Sequence, residues 1–414
     1  MKTYHPHTQL VHADRMSNAH PDGAVHAPVS HSVLFDFPDA QGIVDAFQGK
    51  RMAHVYGRSS SPTASALQAV LTQQHQALGC VTFASGMAAI SSFMLAFLKQ
   101  GDHVIVSQFL FGNTRSFFQQ ISEFGVAVSF VDPTSLDAVQ NAQQPNTRLL
   151  FTEGLANPLT QVPDMHALGS WAKAQGVMSM VDITMTPHVM ADFATLPIDI
   201  LVTSLTKYVA GHGQALGGAV LDMGKFDWTS YPHIDPRYQV TDTAQWGLTQ
   251  LRKKGLRDIG ATLSPEAASS ILIGQETLAM RFATIQENTS QIARCLAQHT
   301  LVEHVYHPSL PTHPQHQLVS EQYNGTGGIV SFTLSESIDP VLFINQLQLI
   351  ICATHLGDTR TLALPVTQTI FFEFTQEEKD AMGVNEKLIR LSVGIEHVDD
   401  LCADLIQALN YFSA

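Results

Sequence analysis

The segment Asp199-Ile-Leu-Val-Thr-Ser204-Leu-Thr206-Lys207-Tyr208 sets a lysine just beyond a short apolar run, beside two hydroxyl side chains. Gly211, Gly213, Gly217 and Gly218 follow, so little bulk surrounds the amine and a planar ring could approach it closely. A lysine amine whose pKa is lowered by burial attacks aldehydes and forms an imine, and nearby hydroxyls such as Ser204 and Thr206 can hold a phosphate. Asp182 stands 25 residues earlier (207 − 182), closing a second apolar run in Val181-Asp182-Ile-Thr184. A carboxylate there could keep an aromatic ring nitrogen protonated.

Three further segments have the same form, an apolar run opening into small or polar residues. Ala84-Ser85-Gly86-Met87-Ala88 reads as a strand turning into a helix, whose first N–H groups form an anion site. Phe151-Thr-Glu153-Gly-Leu-Ala-Asn157-Pro158 places the Asn157 amide in a strand-exit loop, where open α/β folds bind ligands. Phe109-Leu-Phe111-Gly112-Asn113 offers an aromatic ring, Phe111, that could stack on a cofactor. Four of these five features have a plainer alternative: a surface lysine, an Asp capping a turn, a glycine turn, a core Phe. Taken together they bring a lysine, an acid, an anion nest, an amide and an aromatic to successive strand exits. These are the requirements of pyridoxal 5′-phosphate (PLP), held by Lys207 as a Schiff base with Asp182 at its ring nitrogen.

The elements that must position these groups alternate between strand and helix. Val81–Phe83, His103–Ser107, Val126–Val131, Arg148–Glu153, Val177–Ile183, Ile200–Ser204 and Gly218–Leu221 read as strands. Helices are expected over Ser65–Gln76, Gly86–Lys99, Thr114–Phe124 and Asp164–Gln175. Such alternation, with Val/Ile/Leu-rich strands, predicts an α/β fold with a mostly parallel sheet covered on both faces. Residues 1–60 carry prolines and no sustained period, and read as an arm lying on the rest of the protein or on a neighbouring subunit. A PLP-binding domain is expected over 61–265 and a smaller C-terminal α+β domain over 266–414. That second domain opens on a long helix from Leu263 to Arg294 with a candidate break, with later strands at Ile329–Thr333 and Ile389–Ser392.

Composition narrows the function. The 414 residues carry a formal charge of 22 − 36 = −14. An acidic chain without a basic block repels nucleic acid and anionic membranes. Cys80, Cys295, Cys352 and Cys402 have no paired spacing, which argues against a disulfide framework or a zinc site. The 20 histidines include no H-E-x-x-H, so no metal is expected. No apolar run approaches the roughly 20 residues of a membrane span, and the polar N-terminus has no signal-peptide core. A cytoplasmic location follows as the expectation.

Over nearly its whole length the sequence resembles the Cys/Met-metabolism family of fold-type I PLP enzymes: cystathionine γ-synthases and lyases, methionine γ-lyases and homoserine-ester sulfhydrylases. Tyr56-Gly-Arg58-Ser-Ser-Ser61-Pro62-Thr63 is similar to the family's Tyr-x-Arg-x-x-Asn-Pro-Thr. Ser85-Gly86-Met87, Glu153-x-x-x-Asn157-Pro158, Val181-Asp182 and Ser204-x-Thr206-Lys207-Tyr208 match in order and spacing. So do Gly255-Leu-Arg-Asp-Ile-Gly-Ala-Thr-Leu-Ser-Pro265 and Leu388-Ile-Arg390-Leu-Ser-Val-Gly394-Ile-Glu396. The resemblance implies that Tyr56 and Arg58 reach a neighbouring subunit's phosphate, that Arg390 binds the substrate carboxylate, and that the protein is a homo-oligomer, a dimer of dimers. Thr354 and His355, with Tyr56, fall on the substrate side.

Departures from the family sharpen the expectation. Phe111 stands where Tyr is usual; it keeps the stacking and loses a hydroxyl that helps protonate a thiol leaving group in the lyases. Asn113 replaces the Cys of methionine γ-lyases, and His355 replaces a Ser in Thr354-His355-Leu-Gly-Asp-Thr-Arg-Thr-Leu362. The resemblance therefore implies γ-replacement on an activated homoserine, of the O-acetyl- or O-succinylhomoserine sulfhydrylase type, in methionine and cysteine metabolism. Cystathionine synthesis and γ-elimination from cystathionine or methionine are the alternatives. Rivals from other classes are a non-catalytic scaffold and a His-rich metal hydrolase.

Overall fold

In the computed structural model, which describes residues 4–15, 20 and 23–413, two β-sheets carry the chain. The first is formed by β1 (Gly79–Phe83), β2 (His103–Ser107), β3 (Ala127–Val131), β4 (Thr147–Glu153), β5 (Met178–Asp182), β6 (Ile200–Ser204) and β7 (Gly218–Asp222). Their order is β1-β7-β6-β5-β4-β2-β3. The pairs β2–β3, β2–β4, β4–β5 and β5–β6 are parallel. Only β7 is reversed, antiparallel to both β1 and β6. Because β7 runs backward between them, β1 and β6 point the same way, and their carboxyl ends share one rim with those of β2, β4 and β5. The expected mixed α/β layering is present; the reversal of β7 has no signature in its apolar pattern.

Alternation along each strand divides the core. Val181, Leu201, Ala219 and Leu221 pack on one face with Leu67, Val70 and Leu71 of the helix Pro62–Gln74. Met180, Val202 and Val220 pack on the other with Ile90, Phe93 and Phe97 of the helix Gly86–Phe97. Each of the fully buried Val, Leu, Ile, Phe and Met side chains among them contributes about 1.5–3 kcal/mol. Both faces are thereby sealed, and ligand access is confined to the strand ends.

The second sheet comprises β8 (Val302–Tyr306), β9 (Ile329–Leu334), β10 (Ile351–Cys352), β11 (Leu362–Pro365) and β12 (Leu388–Ser392), in the order β10-β11-β12-β9-β8. Ile389 and Leu391 face an apolar core with Leu401 and Leu405 of the helix Val398–Asn410. The intervening Arg390 is therefore turned to the opposite side, toward the first sheet. The expected long helix is two helices, Pro265–Glu276 and Leu278–Ala297, broken at Thr277. The stretch from 222 to 265, irregular by sequence, holds short turns and a helix from Trp246 whose final part, Leu251–Asp258, widens into π geometry.

Part of the N-terminal arm lies on its own chain. Leu10 and Ala13 are buried, the Ser30 N–H donates to Thr63 Oγ1, and His31 pairs with Glu266. Beyond it Leu34, Phe47 and Met52 are strongly exposed. Residues 1–3, 16–19, 21, 22 and 414 lie outside the described residues. Among the described residues no helix is long and apolar enough to cross a membrane, and no group of histidines, cysteines and carboxylates could hold a metal ion.

Candidate active site

The common rim gathers the chemistry. Glu153, Asp182 and Ser204 are the last residues of β4, β5 and β6. Ser85, Phe111, Asn157 and Lys207 lie two to four residues beyond their strands.

The anion turn is built by a cap and two close approaches. Ser85 has an extended backbone, and its side chain accepts the Ala88 N–H at 3.0 Å, which starts the helix Gly86–Phe97. The first-turn N–H groups are left pointing at the rim. A Cβ on Gly86 would come within 2.7 Å of Ser204 Cβ. Gly218 is the register partner of both Phe83 and Ser204, and a Cβ there would meet the Ser85 carbonyl. Two bare α-carbons thus let the turn and the lysine strand meet. The Thr206 hydroxyl is occupied differently: it donates to the Gly217 carbonyl and accepts the Gly217 N–H, tying the strand exit together.

Lys207 is mostly enclosed. Burial, and then the nearby Arg390 guanidinium, bring its pKa down from 10.5 to about 8. The loop after it is held by Arg281, a residue that drew no notice in the sequence. Its guanidinium donates to the carbonyls of Tyr208, Val209 and Gly274. The only sequence signal is an arginine on the apolar stripe formed by Leu278, Phe282 and Ile285.

Asp182 accepts the Thr184 N–H at 2.8 Å. Burial raises its pKa, partly offset by the hydrogen bonds from Thr184. Glu153, quoted in the sequence only as part of a motif, is also a member of the site. Its Oε1 accepts the Phe111 N–H at 2.9 Å and fixes the aromatic loop. Burial, then the Asp182 charge, push Glu153 up to about 8.

Arg390 crosses between the sheets. It is 1% exposed, donates through Nη1 to Asn157 Oδ1 at 3.3 Å, and through Nη2 to the carbonyls of Thr354 and His355. Its Nε is buried and has no partner; the same holds for His355 Nε2, Tyr208 OH and Glu153 Oε2. Unsatisfied buried polar atoms in one place are costly and mark a site completed by a ligand. Tyr56 and Arg58 are not at this rim: Arg58 stacks on Tyr56, donates to the Arg257 carbonyl, and leaves Tyr56 half exposed.

The residues present fit PLP. They offer a helix N-terminus for a phosphate, a lysine for its aldehyde, a buried carboxyl whose ionisation requires a cation beside it, and an orphaned guanidinium donor on Arg390. This architecture is that of the fold-type I PLP-dependent enzymes. The model of the Cys/Met metabolism PLP-dependent enzyme family matches residues 7–410, and the chain belongs to that family. It is 32% identical over 412 residues to an L-methionine γ-lyase of Fusobacterium nucleatum subsp. polymorphum, covering 99% of this chain and 98% of that one. It is likewise 32% identical over 375 residues to an O-succinylhomoserine sulfhydrylase of Pseudomonas aeruginosa, covering 90% and 88%. Among solved structures, a Campylobacter jejuni protein carrying N′-pyridoxyl-lysine-5′-monophosphate superposes with a TM-score of 0.93 at 27% identity, covering 98% of this chain and all of that one. The protein is therefore a PLP-dependent enzyme of the γ-elimination and γ-replacement group, a transferase or carbon–sulfur lyase.

Proposed function

We propose that the protein catalyses γ-replacement on an activated homoserine, O-acetyl- or O-succinylhomoserine, with a sulfur nucleophile. The observation that carries this reading is Phe111. Glu153 fixes its backbone, yet its ring bears no hydroxyl with which to protonate a departing thiol. An acetate or succinate leaves as a stable anion and does not need that proton. A second reading, γ-elimination, is favoured by the likeness to the Fusobacterium enzyme.

In this reading Lys207 carries the cofactor through Nζ, with Asp182 at the ring nitrogen and Phe111 against the ring. Ser85, Gly86, Met87 and Ser204 surround the phosphate, Thr206 braces the strand exit beside them through Gly217, and Tyr56 and Arg58 would complete that end from a neighbouring subunit. When bound, PLP supplies a protonated ring that takes up negative charge from the substrate carbon. Arg390 orients the substrate carboxylate through its free Nε–H, supported by Asn157 and the loop at Thr354 and His355. The Lys207 amine, once released, takes and returns protons at the substrate α- and β-carbons. The lowered pKa suits it to act as a base near neutrality. We further take 1–60 as the arm, 61–265 as the cofactor domain and 266–414 as the C-terminal domain of a cytoplasmic homo-oligomer. The exposed Leu34, Phe47 and Met52 support burial of the arm against another copy.

The test is a product analysis of the purified holoprotein. O-acetylhomoserine and O-succinylhomoserine are supplied with sulfide, cystathionine and methionine without it. Homocysteine from an ester is the expected product; an oxo acid as the dominant product from methionine would overturn the assignment. Lys207→Ala should abolish turnover and the borohydride-reducible absorbance.

A further inference from the structure

Two cysteines that stand 107 residues apart in the chain (402 − 295) meet where the helices Leu278–Ala297 and Val398–Asn410 pack. The helices run parallel, and their contacts follow one another in the same order along both. At one end of the contact, Asn288 Nδ2 donates to the carbonyls of Gly394 and Glu396 at 3.1 and 2.8 Å. At the other, His299 Nε2 donates to Asn410 Oδ1 at 3.3 Å. Between them Ile292, Ala293, Leu296, Leu401 and Leu405 share a buried cluster, and Cys402 packs against it. Cys295 follows Asn288 by seven residues (295 − 288) and Cys402 follows Glu396 by six (402 − 396), so the two stand at matching heights. Their side chains are in hydrogen-bonding contact. Packed helix axes lie about 8–10 Å apart with α-carbons about 2.3 Å from each axis, so α-carbons along the contact approach to roughly 4–6 Å. A disulfide spans up to about 7 Å between α-carbons.

Both cysteines are half-buried at the margin of the contact, within reach of a small reagent, whereas Cys80 is buried and Cys352 lies exposed on β10. The two thiols are unequal. The hydrogen bond from Cys402 lowers Cys295 from 9.0 to about 7, against the opposing effect of burial. The same hydrogen bond, then burial and the charges of Cys295 and Asp399, raise Cys402. The first thiolate therefore forms at Cys295. A thiolate whose pKa lies near ambient pH is the most effective attacker of a disulfide.

We propose that Cys295 and Cys402 are an oxidisable dithiol, closed to a protein disulfide by disulfides of low molecular mass. Cys295 Sγ attacks one sulfur of the reagent, whose S–S bond breaks; one thiolate departs and a mixed disulfide remains on Cys295. Cys402 Sγ then attacks Cys295 Sγ, the protein S–S bond forms and the second thiolate departs. The two protons of the protein thiols end on the two released thiols. The protein pair gives up two electrons and the reagent accepts them. The product ties the helix carrying Arg281, which holds the loop after Lys207, to the helix packed behind the strand of Arg390. The inference is independent of which γ-substituent departs and of the proposed reaction.

The test incubates holoenzyme with glutathione disulfide at neutral pH, alkylates the remaining thiols and maps the unreduced peptides by mass spectrometry. A cross-link between the peptides of Cys295 and Cys402 is expected, two hydrogens lighter than the separate peptides and lost on treatment with dithiothreitol. Separate glutathione adducts on both cysteines, no reaction at either, or a cross-link that forms only after unfolding in urea would overturn the proposal. Single variants test the order of attack. Cys402→Ser keeps a hydrogen-bond donor beside Cys295 and should trap glutathione on it; Cys295→Ser should gain the adduct at Cys402 roughly 3-fold more slowly, the net of more thiolate and lower nucleophilicity at Cys295. Equal or reversed rates would overturn the assignment of Cys295 as the attacking thiol.

Discussion

Glu153 and Asp182 end neighbouring parallel strands as direct register partners, so two carboxyl groups meet at one buried rim. Burial above all, and then the Asp182 charge, hold Glu153 protonated up to about pH 8. The native state therefore keeps a proton that the unfolded chain releases above pH 4.5. Between those values the native state binds more protons, and stability falls as pH rises. Glu153→Gln removes that slope. Urea unfolding of cofactor-free protein should show a flatter pH dependence between 5 and 8 for the variant, by up to about 1.4 kcal/mol per pH unit.

The histidines His75 and His307 give the opposite slope at lower pH. Burial, chiefly, depresses both to about 3. The unfolded chain takes up a proton on each below pH 6.5, while the native state does not until about pH 3. Stability is fully present above pH 6.5 and is lost on acidification, by up to about 1.4 kcal/mol per pH unit per group. His75→Gln should lower the proton uptake on unfolding at pH 5 by close to one, measured by calorimetry in buffers of differing ionisation enthalpy.

Lys207, lowered to about 8, should be acylated in the cofactor-free protein with a midpoint near pH 8 rather than near 10.5. Mass spectrometry of the labelled peptide across pH reads this directly. A midpoint at 10.5 would mean the amine is solvated and the rim open.

At Gly86 the space is fully used. Gly86→Ala forces a Cβ against Ser204 and should cost about 1–3 kcal/mol of stability. It should also weaken cofactor retention more than an alanine at Gly101, where nothing lies within 4 Å of the added carbon but the backbone φ is +90°. Dialysis followed by absorbance separates the two effects.

Arg390→Lys keeps a cation and loses the fork that spans Asn157 and the loop carbonyls. Loss of one charge-assisted contact to a substrate carboxylate should lower kcat/KM roughly 10- to 100-fold, mainly through KM. Steady-state kinetics with two amino-acid substrates would show the same factor for both.

Much of this was legible in the sequence because strand exits announce themselves. An apolar run ending in Asp182, Ser204 or Glu153 marks both the strand and its terminus, and the turn chemistry of Ser85-Gly86 marks a helix start. What could not be read is pairing between distant elements. β7 has the composition of its parallel neighbours, so its reversal was invisible. The short strands β8 and β11 lack a run long enough to stand out. Arg281 and the Glu153–Phe111 bond act on partners far away in sequence, and only the assembled fold reveals them. The contact between His355 Nδ1 and Lys207 Nζ at 3.2 Å is of the same kind: position 355 stood out as a departure, but its partner did not.

The backward course of β7 sets the order in which the cradle can be completed during synthesis. A ribosome that has released the chain through β6 has already delivered Ser85, Phe111, Glu153, Asp182 and Ser204. Yet β1 and β6 have no strand to join them until Gly218–Asp222 emerges and inserts between them. Such pairing across a long loop is slow to form. A nascent chain arrested just short of that segment should be unable to capture its cofactor.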